Sequence, residues 1–173
     1  AAGGELEQQL IAYSDAVLDA LGVVNGPGHM EVKMCADGPC LVEVGSRCHG
    51  GEGSWVPVAD ECVGYNQIGV SLDAYVNPDV FDALPAAPTV LAKSGCEVFL
   101  VARQNGMLRG LPGRKKIEAL ESYRCGDWQT GAGQFLRKTI DCFTRPGAIE
   151  LINADAAALA RDVATIRDLE SNG

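Results

Sequence analysis

Basic charge is scarce in this chain: 14 Lys and Arg stand against 23 Asp and Glu, a net charge of −9. A surface of that sign disfavours nucleic acids and anionic membranes, both of which recruit Lys and Arg. Nucleotides stay open, because a divalent cation and a few local bases set the field at a phosphate site. Long apolar runs are missing as well, none approaching the ~18 residues of a membrane span. No C-x-x-C pair occurs among Cys35, Cys40, Cys48, Cys62, Cys96, Cys125 and Cys142, and their number, seven, is odd. That pattern argues against a zinc site or a disulfide framework, and for free thiols in a reducing, cytoplasmic setting. No signal or transit pattern is read ahead of the first helix, and no internal repeat or low-complexity tract is found. The G-x-x-x-x-G-K-[ST] spacing of a P-loop is also absent. What remains is a globular chain of 173 residues, 47% hydrophobic and 21% charged, long enough for one domain or two small ones.

The stretch around which the rest is organised is His29 to Gly51. Polar and apolar residues alternate from His29 to Met34 and again from Cys40 to Val44, the period of half-buried strands. Ala36-Asp37-Gly38-Pro39 between them is turn chemistry, so the two runs predict an antiparallel hairpin. Closed symmetrically about Asp37, it brings Glu31 opposite Glu43, with Cβ atoms roughly 4.5–5.5 Å apart. His29 and Lys33 share that face, while Met30, Val32, Met34, Cys40, Val42 and Val44 make the apolar one. Like charges directly opposite are destabilising. A hard cation such as Mg²⁺, which takes oxygens from one or two carboxylates and fills its shell with water and phosphate, gives a reason to keep both. The plainer reading is a solvated face on which Lys33 screens two acids.

Arg47 follows four residues after Glu43, and then comes His49-Gly50-Gly51-Glu52-Gly53. A guanidinium beside two carboxylates suits phosphate through its bidentate fork, and glycines let backbone approach a ligand. A Glu, a second Glu twelve positions on, an Arg four further and then Gly-Gly resembles the metal-binding end of the ATP-grasp fold. Asn25 to Lys33 followed by Leu41 to Arg47 is most similar to the L-amino-acid ligase (carboxylate–amine ligase) branch. The resemblance implies that Glu31 and Glu43 hold Mg²⁺ (or Mn²⁺) on the phosphates of ATP. It makes Arg47, a catalytic and nucleotide-binding residue, the contact to the transferring phosphoryl or the acyl phosphate. His29, His49, Gly50 and Gly51 are the substrate-binding candidates; for each histidine a structural role stands beside that one. One position departs from the pattern: Gly45 stands where many ATP-grasp enzymes carry a further metal-ligating Asn. Cys48 beside His49 does not read as a nucleophile and its base, since neighbours in an extended segment point opposite ways.

Along the chain, Leu6, Leu10, Tyr13, Val17 and Leu21 form one helical stripe, closed by Gly22 at the C-cap. Helical spacing from about Val56 to Val76 predicts a second helix, with an interruption near Gly64 admitted. Asp60, Glu61, Tyr65 and Asn66 on it could reach a substrate, but a partly exposed helix face accounts for them better. Pro78, Pro85 and Pro88 break regular structure, and 84–88 marks the expected boundary between residues 1–83 and 84–173. Beyond it, Cys96 to Ala102 reads as a buried strand, hairpinned through Asn105-Gly106 to Met107–Leu111. Gly113-Arg114-Lys115-Lys116 reads as a solvated turn and Ile117 to Tyr123 is ambiguous, a short helix being favoured. Strands are expected over about 134–140 and 148–152. A last helix, capped by Asn153 or Asp155, carries Leu159, Val163, Ile166 and Leu169.

The fold class expected is therefore α+β: an ATP-grasp C-terminal subdomain, antiparallel sheet with helices, followed by a small antiparallel-sheet-plus-helix module. The function implied by the resemblance is ATP-dependent ligation of a carboxylate to an amine through an acyl phosphate. The partners are ATP, amino-acid-like substrates and the N-terminal ATP-grasp regions that this chain does not display; a homodimer is admitted. No adenine pocket or lid lysines are visible, so the chain by itself is expected to be inactive. A non-catalytic ATP-grasp-like binding or structural module is the alternative, against which stands the opposition of two carboxylates that stability alone would not keep. A metal-dependent hydrolase would need more ligands than are found.

Overall fold

The computed structural model describes residues 4–88 and 90–172. They divide into two compact units, one falling within 4–53 and 63–91, the other within 54–62 and 92–172. In the first unit, helix α1 (Glu5–Leu21) ends where Gly22 turns left-handed at φ 68°, the conformation that glycine takes without a Cβ penalty. The hairpin β1 (His29–Cys35) and β2 (Gly38–Gly45) follows.

The hairpin differs in detail from the symmetric one expected. Its turn is only Ala36-Asp37, since Cys35 already pairs with Gly38. A bulge between Glu31 and Val32 then restores the register, so that Glu31 does face Glu43. Val42 is the extra residue of that bulge, and it is exposed rather than on the apolar face. Leu41 takes its place opposite Val32, and Cys40 shifts to the exposed side, opposite Lys33. The ladder donor disturbed by the bulge is satisfied from α1, because the Leu41 N–H donates to the Tyr13 hydroxyl at 3.0 Å.

The long second helix breaks into α2 (Val56–Val63) and α3 (Gln67–Val76). Gly64, at φ 93°, ends the first. Asn66 starts the second by accepting from the Ile68 and Gly69 N–H groups at 3.0 and 2.9 Å. Pro78 does not break structure but begins a short helix, α4 (Pro78–Asp82), at the position where its missing N–H costs nothing.

The second unit is a three-stranded antiparallel sheet, β3 (Ser94–Phe99), β7 (Gly147–Asn153) and β5 (Tyr123–Trp128), with β7 central. One face packs Val98, Ile149 and Leu151 against Ile166 of α6 (Ala156–Asn172) and Ile117 of α5 (Pro112–Glu118). Asp155 caps α6, accepting from the Ala157 N–H at 2.8 Å. On the opposite face Gly95 lies under α2: a Cβ there would meet Cys62 Sγ at 2.7 Å and Val58 Cγ1 at 2.8 Å.

Several expected elements change here. The Asn105-Gly106 hairpin does not form. Neither residue takes the positive φ that a type I′ turn requires, and the Asn105 side chain instead accepts from the Lys138 N–H. The strand β4 (Gly106–Met107) pairs with β6 (Phe135–Leu136), which is all that forms of the strand expected over 134–140. Residues 113–116 lie inside α5, opened by Pro112, rather than in a solvated turn. β5 was not anticipated; its own bulge, between Tyr123 and Cys125, and Gly126 hide the alternation that marks a strand.

Candidate functional site

All the candidate residues lie on the first unit, at the open end of the hairpin and the loop after it. Glu31 and Glu43 are cross-strand partners on one face, each side chain 57% exposed. Glu43 does not stand alone: its Oε1 is 3.6 Å from Arg47 Nη2. Arg47 also donates from Nη1 to the Cys48 carbonyl at 3.1 Å. The guanidinium lies back over Gly45, where a Cβ would sit 3.6 Å from Arg47 Cγ and Nε. That is ordinary van der Waals contact, so the arginine packs closely over position 45.

On the other side of the pair, His29 Nε2 lies 3.8 Å from Glu31 Oε1. The His29 and His49 rings meet with Nδ1 atoms 3.2 Å apart and centroids 4.5 Å apart. Both histidines are thus drawn to the carboxylate end of the hairpin, although twenty residues separate them. Gln67, the first residue of α3, makes this possible. It accepts from the His49 N–H at 2.7 Å and donates to the Gly28 carbonyl at 2.8 Å. Gln67 was not among the residues expected at the site.

Cys48 and His49 point apart as expected. The thiol sits 3.6 Å from Ser71 Oγ and 3.9 Å from the Gln67 carbonyl, against α3, whereas the imidazole faces His29. Beyond them, Gly51, Glu52 and Gly53 take φ values of 72°, 57° and 78°. Glu52 is the one non-glycine described residue in that region, a strain on the order of 1 kcal/mol of the kind that clusters where backbone meets a ligand. Asn66 and Glu61, weighed as substrate contacts, have structural partners instead. Asn66 caps α3, and Glu61 pairs with Lys93 and Arg124 in the second unit, which hold its carboxyl below the ordinary range.

The donor set fits a hard divalent cation that relies on phosphate. Two exposed, opposed carboxylates are what Mg²⁺ takes from protein when phosphates complete its shell. Among the described residues no group of three or more His, Cys, Asp and Glu is placed to form an all-protein cage, and no helix is long and apolar enough to cross a membrane.

The fold is that of the C-terminal region of ATP-grasp enzymes. The chain superposes on L-amino acid ligase from Bacillus licheniformis with a TM-score of 0.77 at 17% identity, over 95% of this chain and 40% of that one. Phosphoribosylglycinamide synthetase from Anaerococcus prevotii gives a TM-score of 0.69 at 12% identity, over 94% and 40%. In sequence, the chain is 29% identical over 167 residues to dapdiamide A synthase of Enterobacter agglomerans, spanning 94% of this chain and 38% of that protein. It therefore spans about two-fifths of the length of these relatives. No family model matches it.

Proposed function

We propose that this chain is the phosphate- and metal-holding C-terminal part of an ATP-dependent carboxylate–amine ligase that works in the cytoplasm on amino-acid-like substrates. The observation that carries the reading is the Glu31–Glu43 opposition with Arg47 drawn onto Glu43. Glu31 and Glu43 would hold Mg²⁺ (or Mn²⁺), which would offset the charge that develops on the phosphates. Arg47 turns its fork from Glu43 to the transferring phosphoryl group and stabilises the charge that develops there. A substrate carboxylate oxygen bonds to the γ-phosphorus as the bond to ADP breaks. The amine then bonds to the acyl carbon, phosphate leaves and the nitrogen loses a proton; the products are an amide, ADP and phosphate. Gly50 and Gly51 let backbone approach the substrate, and His29 and His49 line the same end.

The first unit adds support. None of its described residues is buried, and Leu72, Tyr75 and Val76 of α3 are 60%, 79% and 59% exposed. Surface of this kind calls for cover, and the regions that the relatives carry beyond the match would supply it. The chain by itself is accordingly expected to bind nucleotide weakly.

The test is ADP release by a polypeptide that joins this chain to those regions. Turnover should require both a carboxylate and an amine substrate. Glu43→Gln should abolish it, and Arg47→Lys, which keeps the charge but loses the fork, should lower kcat more than it raises KM. Near-native turnover of Glu43→Gln would sink the assignment, and an unchanged kcat in Arg47→Lys would reduce Arg47 to a ground-state contact.

A further inference from the structure

We propose that the cavity of the second unit, floored by its hydrophobic core and lined by Arg103, Arg114 and Lys116, binds a small carboxylate with an apolar body. The inference goes beyond the ligase reading and does not rest on it, since every residue concerned belongs to the second unit. The cavity measures about 580 Å³, within the range of small-ligand sites. Its floor is the core cluster itself: Leu100, Ile117 and Ile166 are at most 6% exposed, and Trp128 and Leu169 pack against them. Such a floor offers an apolar body the burial that drives its transfer from water. The wall is fixed. Beyond the end of β3 the Val101 N–H donates to Glu170 Oε1 at 2.8 Å. Ala102 donates to the Thr139 hydroxyl at 2.9 Å and accepts from the Thr139 N–H at 2.8 Å. Arg103 extends from this pinned segment, and Lys116 from α5.

Charge selects the head group. Acids outnumber bases over the whole chain, yet residues 99–138 hold eight of its 14 Lys and Arg and only three of its 23 Asp and Glu. At the cavity, the Glu170 carboxylate is committed to Val101 and to Arg167, 2.9 Å away. Arg114 pairs with Glu118 at 2.7 Å and lies over the Trp128 ring, 5.0 Å from its centroid. Arg103 and Lys116 differ from Arg114: both are exposed, and among the described residues no Asp or Glu lies within ion-pair distance of either. The cations Arg103, Arg114, Lys116 and Arg167 thus face three carboxylates, Glu118, Asp168 and Glu170. One positive charge is left over. A carboxylate matches it, whereas a phosphate ester, at about −1.5 to −2 near neutral pH, exceeds it. Arg103 offers a carboxylate the planar fork that binds both oxygens, and Lys116 adds a point charge.

The experiment titrates 4-phenylbutyrate into the 173-residue chain at neutral pH. Binding is read from ¹H–¹⁵N amide shifts, and from Trp128 fluorescence in Trp55→Phe, which leaves a single tryptophan. Saturation with a Kd on the order of 1 mM is expected for a ligand of about a dozen heavy atoms. The shifts should concentrate at Arg103, Lys116, Trp128 and Leu169. Arg103→Gln and Lys116→Gln should each weaken binding roughly 1.4- to 5-fold, and the amide spectrum without ligand checks that these surface variants keep the fold. Uncharged 4-phenylbutan-1-ol should bind the unaltered chain more weakly than the carboxylate, and 4-phenylbutyl phosphate no more tightly. A titration that does not saturate, or shifts confined to other residues, would overturn the site. Equal binding of the alcohol, or undiminished affinity in the Arg103→Gln, Lys116→Gln double variant, would overturn the anionic head group. Tighter binding of the phosphate would overturn its single charge.

Discussion

The two carboxylates of the hairpin are not equivalent, and removing their charges one at a time should show it. Directly opposed like charges on a sheet cost roughly 0.2–1 kcal/mol. Either Glu31→Gln or Glu43→Gln relieves that repulsion. Glu43, however, also has Arg47 at 3.6 Å, and an exposed ion pair of that kind contributes about 0.2–1 kcal/mol. Its two terms nearly cancel. Glu31 has His29 3.8 Å away, and among the described residues no Lys or Arg lies within ion-pair distance of it. Glu31→Gln is therefore expected to stabilise the metal-free hairpin, whereas Glu43→Gln should leave it almost unchanged. Native-state hydrogen exchange of the β1 and β2 amides reads this locally. Protection should rise about 1.4- to 5-fold in Glu31→Gln, the kinetic equivalent of the energy above, and stay within error in Glu43→Gln. The difference should fade in 1 M salt, where the screening length is about 3 Å. Equal gains in the two variants, or a loss in Glu31→Gln, would refute the reasoning, because either result would mean that the facing carboxylates do not repel or that Arg47 is not engaged with Glu43.

The second unit yields two further tests. Glu150, buried in the central strand beside Glu97 and accepting from the Cys125 thiol, has its carboxyl pushed above the usual range by burial first and then by Glu97. A carboxyl raised in the folded state stabilises that state only at low pH, so stability is lost as pH climbs through the raised value. Glu150→Gln should raise the melting temperature at neutral pH, with the gain vanishing below the ordinary glutamate range; a gain that persisted in acid would contradict the cause. Gly147 opens β7 with its Cα so close to the Asp127 carbonyl that a Cβ would collide with that backbone oxygen. Gly147→Ala should cost at least about 1–3 kcal/mol in urea unfolding, and unchanged stability would show that β5 and β7 can part there without penalty.

The site was more legible in the sequence than the fold around it. Glu31 opposite Glu43 could be read from alternation and turn chemistry, and the pairing holds, but by a different route: a two-residue turn and a bulge at Val42 offset each other. Had only one of them occurred, the carboxylates would lie out of register. Faces were less secure for the same reason, since a bulge reverses alternation locally and moved Cys40 and Val42 to the exposed side. In the second unit, Asn105-Gly106 carried a strong hairpin signal that long-range pairing overrode, because β3 finds its partner about fifty residues away in β7. Gln67 was invisible in another way. A glutamine that bridges two backbone groups 18 and 39 residues distant leaves no periodicity and no motif.

The most direct test of the central claim maps where the phosphates and the metal sit. Mn²⁺–ATP, titrated into the isotopically labelled chain, broadens the resonances near the ion even when binding is weak. If Glu31, Glu43 and Arg47 form the metal–phosphate face, broadening will begin at Glu31, Glu43, Ser46, Arg47 and Gly50 and will disappear in the Glu31→Gln, Glu43→Gln double variant. Broadening that began in the second unit, or that survived the double variant, would contradict the account.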